Sequence, residues 1–388
     1  MMRSTQRVLS LAFANSVGFS ATTAMALWIT TIDRFLSVPV WWGSVVGSAQ
    51  LGAAAVVNLA APYLFRRMAC EDLAKVAAGA AALCGVVMAS STNSWIFAAA
   101  AIGLGMALGL LLSGSNALLA RSHSVQSNYA TAQMCEVVFS STFYVVAGSL
   151  LAMFGLRSVF GLLAVMALAV ALLMHRLSIG TKSPRDAPDA THGGPNWRVP
   201  VAMLAFVTFF IGQGAFYQHQ MAIGGQLGIG AIDMSRLMAI ATVGGIMGAV
   251  TSKFVGVRYG VVAPLILTTC SLATILVFAV RTDSPILFAL CAILVQALTM
   301  GTVPYVFAIL AGLDPTGRLP SRGPALLLIG VAGGPLLAES FIRIGGYPLV
   351  GIVASVLVLL AGCLFVLGTW RQPSPATIGD MEMVVPPA

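Results

Sequence analysis

The chain has 388 residues, 59% of them hydrophobic and only 8% charged, against roughly 25% charged in soluble domains. With a mean hydropathy of +0.95, that composition excludes a soluble globular protein. The net charge of +8 invites a nucleic-acid reading, but the Lys and Arg form no stripe; they sit between apolar runs as membrane topology requires, and no nucleic acid is expected as a partner.

Apolar segments fall at roughly 8–30, 41–64, 72–90, 94–119, 127–151 and 157–176, then at 198–222, 234–256, 260–280, 285–311, 322–342 and 346–370. Each is near the ~20 residues a helix needs to cross a bilayer. An all-α membrane protein of about twelve transmembrane helices is therefore expected. The first segment imitates an export signal, with Arg3 and Arg7 in front and Ala24-x-Ala26 behind, but is expected to stay as the first helix. Between segments six and seven lies a long polar run, Leu177–Trp197, where Pro184, Pro188, Pro195 and the pair Gly193–Gly194 stop any helix. The expected division is a six-helix half over 1–176, a linker over 177–197, a second six-helix half over 198–370 and a tail over 371–388.

Charge placement orients this arrangement. With the amino terminus inside, fifteen Lys and Arg fall on the inner side and five (Arg34, Arg157, Arg236, Arg281, Arg343) on the outer. Both termini and the linker are therefore expected in the cytoplasm. Trp28, Trp41, Trp42, Trp95, Trp197 and Trp370 fall near segment ends, where aromatic belts lie. The two halves echo each other: Gly148-Ser-Leu-Leu-Ala152 in segment five resembles Gly334-Pro-Leu-Leu-Ala338 in segment eleven. Glycines four apart (Gly43/Gly47, Gly105/Gly109, Gly244/Gly248, Gly330/Gly334) are spaced for close helix approach. Gly330 and Gly334 are expected to bring segment eleven against the other half.

Polar residues inside the segments carry the functional expectation, because spans tolerate them only toward a cavity or a partner. In segment five, Gln133, Glu136, Ser140 and Tyr144 are spaced by three, four and four and share one helical face. Glu136 is the first candidate for proton coupling. Glu339 is the second, with Arg343 one turn later as a local ion-pair partner. Candidates for lining a solute cavity are Asn15 and Thr22 on one face of segment one, Gln50 and Gln296 in mid-segment, Gln133, and Gln213, Tyr217 and Gln220 in segment seven. Cys70, Cys84, Cys135, Cys270, Cys291 and Cys363 make no CxxC, so no metal, disulfide or cofactor is expected. His123, His175, His192 and His219 are scattered, which argues against an embedded enzyme, and no G-x-x-x-x-G-K-[ST] run provides for ATP drive.

Six helices, a polar linker and six more helices resemble the major facilitator superfamily of secondary transporters over essentially the whole chain. That family carries G-x-L-x-D-R-x-G-R-R between helices two and three. The matching stretch is Asn58–Arg67, which keeps Arg66 and Arg67 but has Pro62 at the acidic position and Phe65 at the second glycine. The second-half copy, Lys253–Gly260, keeps Arg258-Tyr259-Gly260 with Val257 at the acidic position. Arg66, Arg67, Gly330 and Gly334 are the gating and helix-packing candidates. The resemblance implies that helices one, four, seven and ten line a central cavity, which would receive Asn15, Tyr217, Gln220 and Gln296. Family members that carry multivalent anions use buried arginines, and no Lys or Arg falls in mid-segment here.

The expected function is secondary active transport of a small neutral, amphipathic or cationic solute by alternating access, with protons as a possible coupling partner and efflux preferred. The alternatives are an uptake permease for a small organic solute and a non-transporting sensor or scaffold. A monomer in a bacterial inner membrane is expected, with the lipid bilayer as its surroundings.

Overall fold

The computed structural model describes residues 2–65, 67–120, 125–176, 197–259, 261–313 and 322–369. The linker over 177–196, Arg66 and the tail lie outside the described residues, and so do the expectations that fall on them. All regular structure among the described residues is helical. A bilayer offers the backbone no water to bond, so each span must satisfy its own N–H and C=O groups. The helices are α1 (Met2–Trp28), α2 (Ile32–Leu36), α3 (Val40–Leu64), α4 (Cys70–Ser90), α5 (Ser94–Ala120), α6 (Val125–Phe154) and α7 (Leu156–Arg176). They continue as α8 (Arg198–Tyr217), α9 (Gln220–Gln226), α10 (Ala231–Tyr259), α11 (Val262–Arg281), α12 (Pro285–Leu313) and α13 (Gly323–Thr369).

Eleven stretches are long and apolar enough to cross a bilayer, α8 and α9 together forming one of them. The last, α13, has 47 residues. At about 1.5 Å per residue it would run ~70 Å, more than twice the ~30 Å hydrocarbon core. It breaks at Gly345–Gly346, where Gly346 takes φ 67°, ψ −168°, a conformation open to glycine and costly for residues with a Cβ. Counting α13 as two spans gives twelve, the number expected. The protein is thus a multi-pass integral membrane protein, and an even number of spans returns the start of α1 and the end of α13 to one side of the bundle.

Local chemistry sets the helix ends. Asn93 Oδ1 accepts the backbone N–H groups of Trp95 and Ile96 at 2.9 and 3.2 Å, satisfying two of the donors a helix start leaves free. Ser284 Oγ accepts the N–H of Leu287 at 3.4 Å ahead of α12. Two features depart from the sequence expectation. A short helix, α2, fills the first connection, and segment seven is interrupted at Gln218–His219 instead of running through.

Within the first six spans α3, α4, α5 and α7 pack in pairs, and α1 packs on α5 and α6; within the last six, α8 lies along α13 and α10 along α12. The two sets meet along α6–α10 and α3–α13, pairs that occupy equivalent places in each set. Glycine makes the tightest approaches possible. A Cβ on Gly105 or Gly109 would strike the backbone of Gln50 or Ala54 in α3, and one on Gly248 would strike the Ala297 carbonyl of α12. Gly148 of α6 meets Ser235 of α10 across the two sets. Gly330 and Gly334 correct an expectation. Their Cβ positions fall 2.5 Å from Phe210 Cβ and from Ala215 N, both in α8, so they seal α13 to its own half, not to the other. The helical register sets this: the same edge of α8 carries Val207, Phe210 and Gly214 toward both glycines.

Candidate functional site

The polar residues of α6 are brought to the junction of the two halves. Phe139 packs toward α1: its ring meets Phe13 edge-on at 5.9 Å and lies 6.0 Å from Phe143. Along the stripe burial deepens from exposed Gln133 through half-buried Glu136 to buried Ser140 and Tyr144. Ser140 Oγ pairs with Thr23 Oγ1 of α1 at 3.5 Å. Ser141 Oγ donates to the Ala239 carbonyl of α10 at 3.3 Å. Tyr144, fully buried, shares a 2.6 Å hydrogen bond with Tyr217 of α8. Glu136 is half-buried and accepts from Gln133 Nε2 at 3.1 Å. Among the described residues no ion pair to Glu136 is formed, so its one hydrogen-bonding neighbour is a neutral amide.

The α8–α9 junction supplies the facing groups. Gln213 is buried one turn before Tyr217, and Gln220 is buried on α9, beyond the break. Gln213 and Tyr217 thus lie on α8 and Gln220 on α9, on either side of the break. Gln218, at the break, reaches the other half, its Nε2 donating to the Thr22 carbonyl of α1 at 3.4 Å. Thr22 Oγ1 turns back onto the Phe19 carbonyl at 2.7 Å, so its backbone and not its hydroxyl faces α8–α9.

The other candidates lie on α1, α3, α12 and α13. The Gln50 backbone lies at the α3–α5 contact against Gly105, and Gln296 Cγ lies against Gly245 of α10. Both stretches take part in packing seams inside one half. The side-chain oxygens of Asn15, Gln50, Gln218 and Gln296 and the hydroxyl of Thr299 are buried and have no hydrogen-bond partner among the described residues. Each such group costs about 1–3 kcal/mol until a water, a solute or another conformation provides a partner. Glu339 is not an isolated carboxylate: Arg343 Nε lies 3.4 Å from its Oε1. Arg343 also stacks over the Trp41 ring of α3, 5.8 Å from its centroid, joining the halves at the end away from the chain termini. Arg67 is exposed beside the α3–α4 turn, and Arg66 lies outside the described residues. Groups of three or more His, Cys, Asp or Glu able to hold a metal are absent among the described residues.

Sequence reasoning missed Thr23, Gln218 and the Tyr144–Tyr217 bond. Gln218-His219-Gln220 is three polar residues in a row within a span, which no single helical face can accommodate, and that run was the available signal for the break. The cross-half contacts (Tyr144–Tyr217, Gln218–Thr22, Ser141–Ala239, Arg343–Trp41) run from mid-bundle to the end that carries α2. They hold the halves together on the side away from the start of α1 and the end of α13.

No protein-family model and no curated protein matches the sequence. Solved structures do match. A mutant of the nucleoside transporter NupG superposes with a TM-score of 0.73 at 12% identity, over 93% of this chain and 99% of the other. A bacterial homologue of the human lysosomal transporter Spinster, inward-facing and occupied, gives 0.71 at 14% identity over 94% and 97%. The same protein in an inward-facing, unoccupied form gives 0.68 at 14% identity over 95% and 97%. At these identities the likeness concerns the fold.

Proposed function

We propose that this chain, which has the major facilitator fold, is a secondary active transporter that moves a small neutral, amphipathic or cationic solute by alternating access. The observation that carries this reading is the polar junction between the halves, tied together on one side of the bundle by the Tyr144–Tyr217 and Gln218–Thr22 bonds. Bonds of this kind contribute about 0.5–1.5 kcal/mol each, small enough to be exchanged as the halves rock. The lining supports the solute class. It offers amide, hydroxyl and phenol groups and one carboxylate, Glu136, whereas a multivalent anion calls for fixed guanidinium groups. We place the termini and the linker in the cytoplasm of a bacterial inner membrane, from the distribution of Lys and Arg. The present arrangement is then closed to the outside. Proton coupling through Glu136 and net efflux complete the reading.

The test begins with a thermal-shift screen of purified protein against a broad solute panel, since a ligand of the native state stabilises it by mass action. Stabilising solutes are then assayed for flux in proteoliposomes. Flux well above that of protein-free vesicles is expected. A solute that stabilises the protein but is not carried would favour a sensor, and inward accumulation against the gradient would reverse the direction.

A further inference from the structure

The break between α8 and α9 is held by a side chain that takes over a backbone bond. In an unbroken helix the N–H of His219 would donate to the carbonyl of Ala215. Here it donates to Phe216 O at 3.1 Å, one residue short, and His219 takes φ −103°, ψ 4°, the bridge region between helix and strand. The carbonyl of fully buried Ala215 would be left bare in the apolar interior. Instead the His219 ring fills the gap, its Nδ1 lying 3.0 Å from Ala215 O. A carbonyl only accepts, so Nδ1 carries the proton and Nε2 is the bare acceptor. The chain resumes at once, with the N–H groups of Ala222 and Ile223 both donating to His219 O at 3.0 Å.

Three further observations converge on this residue. The two residues before it, Tyr217 and Gln218, are those that bond across to Tyr144 and Thr22 of the other half. Its ring packs 6.3 Å from that of Tyr347, which directly follows the Gly345–Gly346 break in α13, so the α8–α9 break and the connection between the last two spans meet at His219. His219 Nε2 and Gln218 Oε1 are buried without a hydrogen-bond partner among the described residues. That penalty makes the closed arrangement one that a rearrangement can relieve.

We propose that His219 is a positioning residue of the transport cycle: its imidazole replaces the backbone donor lost at the break and thereby holds Tyr217 and Gln218 against the first half. This rests on the alternating-access reading for its role in transport, but the geometry can be tested without any solute. Hydrogen–deuterium exchange of the full chain in nanodiscs is followed on peptides covering 218–226 and the facing stretch 20–30. His219→Leu removes the donor, and His219→Asn keeps one, because the Asn Nδ2 occupies the place of imidazole Nδ1 and Asn side chains bond to carbonyls a turn back. His219→Leu should speed exchange in both peptides by about tenfold, the factor for one hydrogen bond lost, and His219→Asn should leave both at the wild-type rate. Unchanged exchange in His219→Leu, or acceleration confined to 218–226, overturns the proposal. If His219→Leu accelerates exchange throughout the chain, His219→Asn decides: failure to restore wild-type rates in both peptides also overturns it. Absence of solute flux would leave these exchange results standing and would count against the transport reading alone.

Discussion

Gly334→Leu should lower the stability of the protein by about 3 kcal/mol, the upper end of what a bulky residue in a close-packed contact costs. Even a Cβ at this position would lie 2.5 Å from Ala215 N and 2.6 Å from the Gly214 carbonyl carbon. Those atoms are backbone and cannot swing aside, so α8 and α13 must separate. The separation would fall beside Tyr217 and the α8–α9 break, and gating should suffer along with stability. Gly334→Ala should destabilise in the same direction. Gly52 of α3 provides the contrast, because a Cβ there meets nothing within 4 Å. Gly52→Ala should be neutral or stabilising by about 0.5–1 kcal/mol through helix propensity. Thermal unfolding in detergent compares all three; wild-type stability in Gly334→Leu would show that the α8–α13 contact is loose.

Glu136→Gln should abolish gradient-driven flux while leaving solute-for-solute exchange in place. A bare carboxylate in a span is costly unless it finds a cation or a proton. The described neighbour of Glu136 is the neutral amide of Gln133, which leaves the proton as the means of neutralisation. If that proton is taken up on one side and released on the other, its gradient drives the solute. Gln matches the protonated acid in shape and keeps a hydrogen-bonding head, so folding and solute binding should survive. Glu136→Leu removes that capacity too, and a loss of stability in Leu but not Gln would assign Glu136 a structural part as well. Gradient-driven and exchange flux in proteoliposomes separate these effects; equal gradient-driven flux in wild type and Glu136→Gln would remove Glu136 from coupling.

Much of the architecture was legible because the bilayer imposes a length. Runs of about 20 apolar residues located the spans, and the sequence placed the last two apart at 322–342 and 346–370 although the helix is nearly continuous through them. The stripe Gln133–Glu136–Ser140–Tyr144 was legible because helical periodicity places those residues on one face whatever packs against it. Partners were not legible. That Tyr144 meets Tyr217 depends on how α6 and α8 are placed in space, and nothing local to either residue encodes it. The glycine pairs show the same limit: four-residue spacing announces that a helix is approached, and the facing surface decides which. Gly148 meets α10 of the other half and Gly334 meets α8 of its own, despite the near-identical runs around them. The interruption at Gln218–His219 was missed because no proline or glycine marks it; a side chain there stands in for the lost backbone donor.

Alternating access requires the two halves to move against each other at the end where the cross-half contacts lie. Arg34 of α2 and Arg236 of α10 are exposed at that end, one on each half. Arg236 gives up only a surface pair with Asp233, which contributes little. Spin labels on cysteines at these two positions, with the exposed Cys270 and Cys363 changed to serine, allow double electron–electron resonance to read the separation directly. Two distance populations are expected, the shorter being the arrangement described above, with the balance between them shifted by a carried solute. A single distance that no stabilising solute moves would contradict alternating access in this protein.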